Sequence, residues 1–332
     1  MNASVKPIFI FSLPRAGSTL MQRILGADPQ IATATEPWIL LPYLYTLKRE
    51  GVGAEYSHWR LHQAVADFYG EFPRGKTDYL AEIRKLVLNL YTKLCQDNEQ
   101  YFLDKTPRYH LIVKEVIQLF PDGKFIFLWR NPLSVAASII QTFGLGYWNL
   151  RDYRIDLFDG LNNLIEASKM YDDRVLFVRY EDIIENPRRE LSQVFAYLDL
   201  PFNPQIVSQF VRVDLKGNFG DPTGVKQYQS ISKEPTEKWK QILNNPIRKG
   251  WSRRYLNWLG EERLSVMGYN LAQLMAELEE SSGSMDKMPS DLKKIVLDSL
   301  DAWLDSNRDN PKNGAANSEN YQGWWMLKVP YS

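Results

Sequence analysis

Four times along this chain a short apolar run passes through a turn into apolar residues spaced as on a helix. That recurrence constrains the fold more than any other feature. Residues 7–12 (PIFIFS) end in a loop containing Pro14 and Gly17, after which Leu20, Met21, Ile24 and Leu25 recur at helical spacing. Residues 101–103 lead to Thr106-Pro107 and then to Leu111, Ile112, Val116 and Leu119. Residues 125–129 (FIFLW) lead to Asn131-Pro132 and then to Val135, Ala136, Ile139 and Ile140. Residues 175–178 (VLFV) lead to Asn186-Pro187 and then to Leu191, Val194, Phe195 and Leu198. Thr or Asn followed by Pro starts helices, because the first side chain accepts an orphan N–H and Pro has none to lose. Short continuous apolar runs read as strands buried on both faces. Strands alternating with helices predict an α/β fold of three layers, α/β/α, around a central parallel sheet. Ligands of such sheets bind at the carboxyl ends of the strands.

The 332 residues, 44% of them hydrophobic, suffice for a sizeable core. Residues 78–95 read as an amphipathic helix with Tyr79, Ile83, Leu86, Val87, Leu90 and Leu94 on one side. Residues 37–77 are irregular and aromatic-rich and read as an insertion over the sheet edge, residues 217–230 as a mobile loop, and Trp251 to Trp258 as helical. After Leu278 the composition shifts to Ser, Asn, Asp and Gly, with one short helix near residues 291–304 and a tail ending in Tyr321, Trp324, Trp325, Leu327 and Val329. The division is therefore a main domain, 1–278, and a mostly helical or irregular extension, 279–332, that packs on the core or on a partner.

Lys plus Arg and Asp plus Glu number 40 each, so no general attraction to nucleic acid or anionic membranes is expected. Cys95 is the single cysteine; no intrachain disulfide can form, as suits a reducing compartment. No leader pattern and no run of about 18 apolar residues is evident, so no membrane span is expected and a cytoplasmic location is. His58 and His62 share a helical face but have no third ligand near them, so no metal site is predicted.

The basic residues that matter are local. Ser12-Leu13-Pro14-Arg15-Ala16-Gly17-Ser18-Thr19 joins the first strand to the first helix. Ala16 and Gly17 let backbone N–H groups approach an anion, the helix N-terminus adds about half a positive charge, and Arg15, Ser18 and Thr19 add donors. An ordinary tight turn is the structural alternative. The nucleotide-triphosphatase loop is excluded, since no Lys precedes the hydroxyl pair. Arg130, closing the strand FIFLW, is a second anion candidate, because its planar fork makes two hydrogen bonds to a phosphate.

With these residues in view, IFIFSLPRAGSTLMQRIL resembles the 5′-phosphosulfate loop of sulfotransferases that use 3′-phosphoadenosine-5′-phosphosulfate (PAPS). It is most similar to the Golgi-type, tyrosylprotein and bacterial branches, where the loop reads close to PRSGTT; Ala16 and Ser18 depart from that form. FIFLWRNPLSVAASII resembles the family's 3′-phosphate site, a strand-terminal Arg with a Ser eight residues on, here Arg130 and Ser138. VRYEDIIENPRREL resembles the stretch that places a Tyr near the adenine, here Tyr180. The resemblance spans about residues 6–260. It implies a P-loop NTPase-like fold, PAPS as donor, and sulfonate transfer to a hydroxyl acceptor. Arg248-Lys249-Gly250 is similar to a further 3′-phosphate loop of cytosolic members, but its surroundings read as an amphipathic helix, and we assign it no such role.

Sulfonate transfer needs cations aimed at the charge building on the leaving phosphate, and a base for the acceptor proton. Arg15 is one candidate cation. Lys105, in YFLDKTPRYH, is the second, and it resembles the catalytic Lys of tyrosylprotein sulfotransferases. For the base, Glu36, 21 residues after Arg15, resembles the base of the same branch. The His that cytosolic members carry three residues after such a Lys is Arg108 here, which leaves His110 as a weaker candidate. Ser230 or Ser232 is a candidate contact to the bridging region. A P-loop kinase and a non-catalytic anion-binding scaffold are the competing readings. The acceptor is open: a small molecule, carbohydrate, lipid or acyl chain, or peptide hydroxyl would each suit an aromatic-rich pocket.

Overall fold

The structure, a computed structural model, describes residues 5–49, 51–215 and 234–308. Five parallel strands form one sheet in the order β2-β3-β1-β4-β5. They are β1 (Lys6–Phe11), β2 (Ile31–Thr33), β3 (Tyr101–Asp104), β4 (Lys124–Trp129) and β5 (Val175–Arg179). Four of the five are the apolar runs of the sequence. The edge strand β2 was not foreseen; its three residues pair with Tyr101, Phe102 and Leu103 of β3.

Alternation along the strands divides the core in two. Phe9, Phe11, Phe102, Phe125 and Phe127 face one layer, with Val87, Tyr91, Val116, Ile139, Leu164, Trp251 and Tyr255 packed over them. Ile8, Ile10, Leu103, Ile126 and Leu128 face the other, under Leu20, Ile24, Ile183, Leu191, Phe195 and Phe210. Over β1, β3 and β4 both faces are dry, as continuous apolar strands require, whereas on the edge strand β5 Phe177 is exposed. The result is the expected three-layer α/β/α arrangement.

Two local readings need correction. Residues 37–77 are largely helical, with helices Leu40–Tyr45 and His58–Gly70. The second is capped by Ser57, yet among its residues only His58 is buried, so no apolar period betrayed it. The helix Lys76–Thr92 buries Ile83, Val87 and Tyr91, while Leu86 and Leu90 face outward and Leu94, past its end, is exposed. His58 and His62 bond the carbonyls of Lys48 and Thr46, in the turn after the preceding helix, at 3.0 Å each. Among the described residues no cluster of His, Cys, Asp and Glu could hold a metal, and no helix is long and apolar enough to cross a membrane.

The segment Trp251 to Trp258 lies in helix Pro246–Val266, and the short C-terminal helix extends over Met288–Arg308. Buried Arg248 joins the two: its Nε and Nη2 donate to Asp291 at 2.7 and 2.9 Å. That fork is thereby committed to a carboxylate, in line with denying it a phosphate role. The 217–230 loop and the aromatic tail lie outside the described residues.

Candidate active site

Every strand ends at the same edge of a parallel sheet, so the residues that follow the strands converge however far apart they lie in sequence. Across this edge, in strand order, come Glu36 after β2, Lys105 after β3, the loop 12–19 after β1, Arg130 after β4 and Tyr180 after β5.

The loop after β1 is built for close backbone approach. Arg15 and Gly17 both take left-handed φ values, 69° and 93°, and the helix Ser18–Leu25 starts directly after them. The first N–H groups of that helix have no intrahelical carbonyl. A side chain at position 17 is excluded twice over: besides the positive φ, a Cβ there would lie 2.3 Å from the Tyr180 ring. Ala16, Ser18 and Thr19 are buried; Pro14 and Arg15 are half-buried.

The loop and the Arg130 segment meet directly. Arg130 Nη1 donates to the Arg15 carbonyl at 2.7 Å, and its guanidinium lies 4.5 Å from the Tyr180 ring centroid. Arg15 Nε in turn donates to Ser138 Oγ at 3.2 Å, two turns into the helix Pro132–Thr142. That helix is capped as its sequence requires, Asn131 Oδ1 accepting from the N–H groups of Leu133 and Ser134. The segments proposed for the two ends of one nucleotide thus share hydrogen bonds.

On the other side of the loop, Lys105 is almost fully buried and its Nζ donates to Glu36 Oε1 at 2.6 Å and to Thr19 Oγ1 at 3.4 Å. Glu36 Oε2 accepts from Trp38 Nε1 at 3.3 Å. A buried ammonium is costly without such a partner. The pair sits beside the phosphate loop, so cation and base candidates touch each other and the loop at once.

His110 is not part of this group. It is fully buried, and its Nε2 lies 2.7 Å from Asp156 Oδ1, to which Arg108 Nε also donates at 2.9 Å. Ser230 and Ser232 lie outside the described residues. Sequence reasoning missed Asp104, the last residue of β3. Its carboxylate is fully buried and accepts from Tyr91, Thr106 and Tyr109 hydroxyls. Burial pushes its pKa up to about 6, against the pull of those three donors and of Lys105. The same burial, with the Asp104 charge beside them, holds the phenols of Tyr91 and Tyr109 well above their ordinary range. The one available signal was a carboxylate closing an otherwise apolar strand.

A parallel sheet with a phosphate-type loop after its central strand defines a P-loop-like α/β protein. The profile of the Sulfotransferase family matches residues 7–204, and the chain belongs to that family. The nodulation protein NoeE of Sinorhizobium fredii is 24% identical over 278 residues, covering 73% of this chain and 63% of its own length. The protein-tyrosine sulfotransferase of Drosophila melanogaster is 26% identical over 212 residues, covering 62% of this chain and 40% of its own. The chain thus spans less than two thirds of these relatives. Among solved structures, the sulfotransferase domain from the curacin biosynthetic pathway superposes with a TM-score of 0.53. It is 24% identical and covers 81% of this chain and 97% of that domain, a likeness of fold.

Proposed function

We propose that the protein is a PAPS-dependent O-sulfotransferase with Glu36 as base and Lys105 as the principal catalytic cation. One observation carries this reading: buried Lys105, paired at 2.6 Å with half-buried Glu36, abuts a loop that is itself bonded to Arg130 and Ser138. A site of this kind serves a substrate with a reacting end and two anionic groups. The cradle fits such a donor, because the first N–H groups of the helix Ser18–Leu25 have no intrahelical carbonyl and can meet an anion. Pro14 to Thr19, with Arg15 as a second cation, would hold the 5′-phosphosulfate, Arg130 and Ser138 the 3′-phosphate, and Tyr180 the adenine side, with Ser232 as a further donor contact.

PAPS supplies a sulfonate on a good leaving group, the 5′-phosphate of 3′-phosphoadenosine-5′-phosphate (PAP). In the step proposed, the acceptor oxygen bonds to sulfur as the bond from sulfur to the 5′-phosphate oxygen breaks. The acceptor proton passes to Glu36. Protonation cancels the Glu36 charge that Lys105 had balanced, so the ammonium is released electrostatically just as negative charge builds on the departing phosphate. Preorganised donors of this kind are worth roughly 10²–10³ in rate, and a base about 10²–10⁴. A divalent metal is not required, since the sulfonate carries fewer charges than a γ-phosphate.

The relatives bear names of protein-tyrosine and carbohydrate sulfotransferases. For this chain we keep the broader class of hydroxyl acceptors, from carbohydrate and peptide to lipid or acyl. A cytoplasmic location, supported by the lone Cys95, belongs to the same reading. The division into a catalytic domain, 1–278, and an extension, 279–332, is likewise a proposal, and the Arg248–Asp291 contact supports the packing of that extension on the core. The test is binding and transfer. PAP should raise the melting temperature without magnesium whereas ATP should not, and radiolabelled sulfonate should pass from PAPS to an acceptor. A shift with ATP and magnesium alone would favour a kinase; PAP binding without any transfer would favour a non-catalytic scaffold.

A further inference from the structure

We infer that Asp104 is a positioning residue for sulfonate transfer, holding the segment that carries Glu36 against Lys105 through the hydroxyls of Thr106 and Tyr109. The inference rests on the reading of Lys105 and Glu36 as the reacting pair. Asp104 closes β3, one residue before Lys105, and is fully buried. Its Oδ2 accepts from Tyr91 Oη at 2.6 Å and from Tyr109 Oη at 3.0 Å, and its Oδ1 accepts from Thr106 Oγ1 at 3.0 Å.

The direction of these bonds is what matters. An ionised carboxylate can only accept, so each hydroxyl must spend its proton on Asp104 and turn its lone pairs elsewhere. Two of them meet backbone N–H groups of the segment after β2. Thr106 Oγ1 accepts from Trp38 N at 3.2 Å, and Tyr109 Oη accepts from Leu40 N at 3.2 Å. Trp38 Nε1 then donates to Glu36 Oε2 at 3.3 Å. A continuous relay therefore runs from Asp104 through Thr106 and Trp38 to Glu36.

The backbone it holds is strained. Trp38 has a φ of 59°, a left-handed conformation unfavourable for a bulky residue, and such outliers persist only where their surroundings over-determine them. The two hydroxyl bonds to Trp38 and Leu40 supply that constraint. A buried carboxylate whose neighbouring ammonium is committed to Glu36 is also a costly way to fill a core. Its ability to orient two hydroxyls toward one loop is the return that an apolar residue, or an amide donating from one side, cannot give.

The test compares Thr106→Val, which keeps the shape and deletes the relay, with Thr106→Ser, which keeps the hydroxyl; Asp104→Asn and Glu36→Gln are run alongside. Turnover is read as PAP release from PAPS, with 2-naphthol, N-acetylglucosamine and a tyrosine peptide as acceptor probes and water as the background acceptor. Misplacement of a reacting group by about 1 Å costs on the order of 10² in rate. Thr106→Val and Asp104→Asn should therefore lower kcat about 10- to 100-fold while PAP affinity and the KM for PAPS stay within about threefold, and Thr106→Ser should recover most of the loss. A Thr106→Val protein with wild-type kcat, or one whose kcat and PAP affinity fall together, would overturn the positioning role. If Asp104→Asn fails to fold, the Thr106 pair still decides the matter. Glu36→Gln separates the two readings. Normal turnover in that variant removes the base and the inference with it, whereas loss there beside a normal Thr106→Val protein removes the positioning role alone.

Discussion

Replacing Lys105 by Met is the sharpest probe of the proposed chemistry. Met keeps most of the apolar stem, which is buried, and removes only the ammonium that sits 2.6 Å from Glu36 and 3.4 Å from Thr19. Loss of one preorganised donor to a developing charge costs about 2.7–4 kcal/mol, so kcat should fall on the order of 10²–10³-fold. In the nucleotide cradle only the Thr19 contact is lost: Arg130, Ser138 and the loop backbone keep their mutual bonds. The PAP dissociation constant, measured by calorimetry, should therefore change by less than about tenfold. Groups that act as a unit lose their effects non-additively. The double variant Lys105→Met/Glu36→Gln should thus be little slower than the worse single variant, far from the product of the two losses. Initial rates of PAP release at saturating PAPS supply kcat for all four proteins. A kcat within threefold of wild type, or losses that multiply in the double variant, would refute the idea that the ammonium is released by proton transfer to Glu36.

Arg130→Ala should weaken PAP binding about 10- to 10³-fold, the loss of one or two charge-assisted bonds, and unchanged affinity in calorimetry would remove the 3′-phosphate assignment. Gly17→Ala should lower the melting temperature and PAP affinity together, because its Cβ meets the Tyr180 ring at 2.3 Å in a left-handed turn; a variant as stable as wild type would refute that close packing. Arg248→Ala leaves Asp291 buried without its fork and should cost about 3–5 kcal/mol in urea unfolding, with PAP affinity in the surviving folded fraction unchanged. The Asp104 carboxyl is raised from 3.8 to about 6, so the unfolded chain releases this proton first, and its contribution to stability falls as pH rises from about 4 to about 6, then levels off. Asp104→Asn should remove that slope from a plot of the urea midpoint against pH.

What the sequence disclosed followed the strength of the local signal. β1, β3, β4 and β5 are apolar runs closed by turn residues, and for the first three burial on both faces demands such runs. β2 carries only Ile-Ala-Thr and exists by pairing with β3, a tertiary cause with no local trace. The helix Lys76–Thr92 shows the converse. Ile83, Val87 and Tyr91 form one stripe, Leu86, Leu90 and Leu94 another, and periodicity cannot say which faces the sheet. Thr106-Pro107 was read as a helix cap, but the Thr106 hydroxyl donates to Asp104 instead, and the turn that follows is a 3-10 helix, Pro107–Leu111. A local motif was legible there while its long-range use was not, since Trp38 lies 68 residues away.

The strand order explains how candidate residues far apart in the sequence come to lie together. Because the sheet runs β2-β3-β1-β4-β5, the segments after the strands lie side by side as Glu36, Lys105, phosphate loop, Arg130 and Tyr180. Along PAPS the sulfonate, the 5′-phosphate and the ribose follow one another, the 3′-phosphate and the adenine sit on separate carbons of that ribose, and the acceptor approaches beyond the sulfonate. Under the proposed assignment the sheet edge is a ruler laid along the substrate, and position on it dictates which kinetic constant a substitution moves. Changes after β2 and β3 touch groups that meet charge only as the sulfonate departs, so they lower kcat. Changes after β4 and β5 touch parts of the nucleotide that do not react, so they raise its dissociation constant with less effect on the chemical step. Asp104 acts at the kcat end although it meets no substrate, because its relay crosses from β3 to the segment after β2. A substitution after β5, such as Tyr180→Phe, that slowed saturated turnover a hundredfold while leaving PAP binding intact would contradict the linear assignment, however well the individual contacts agree with it.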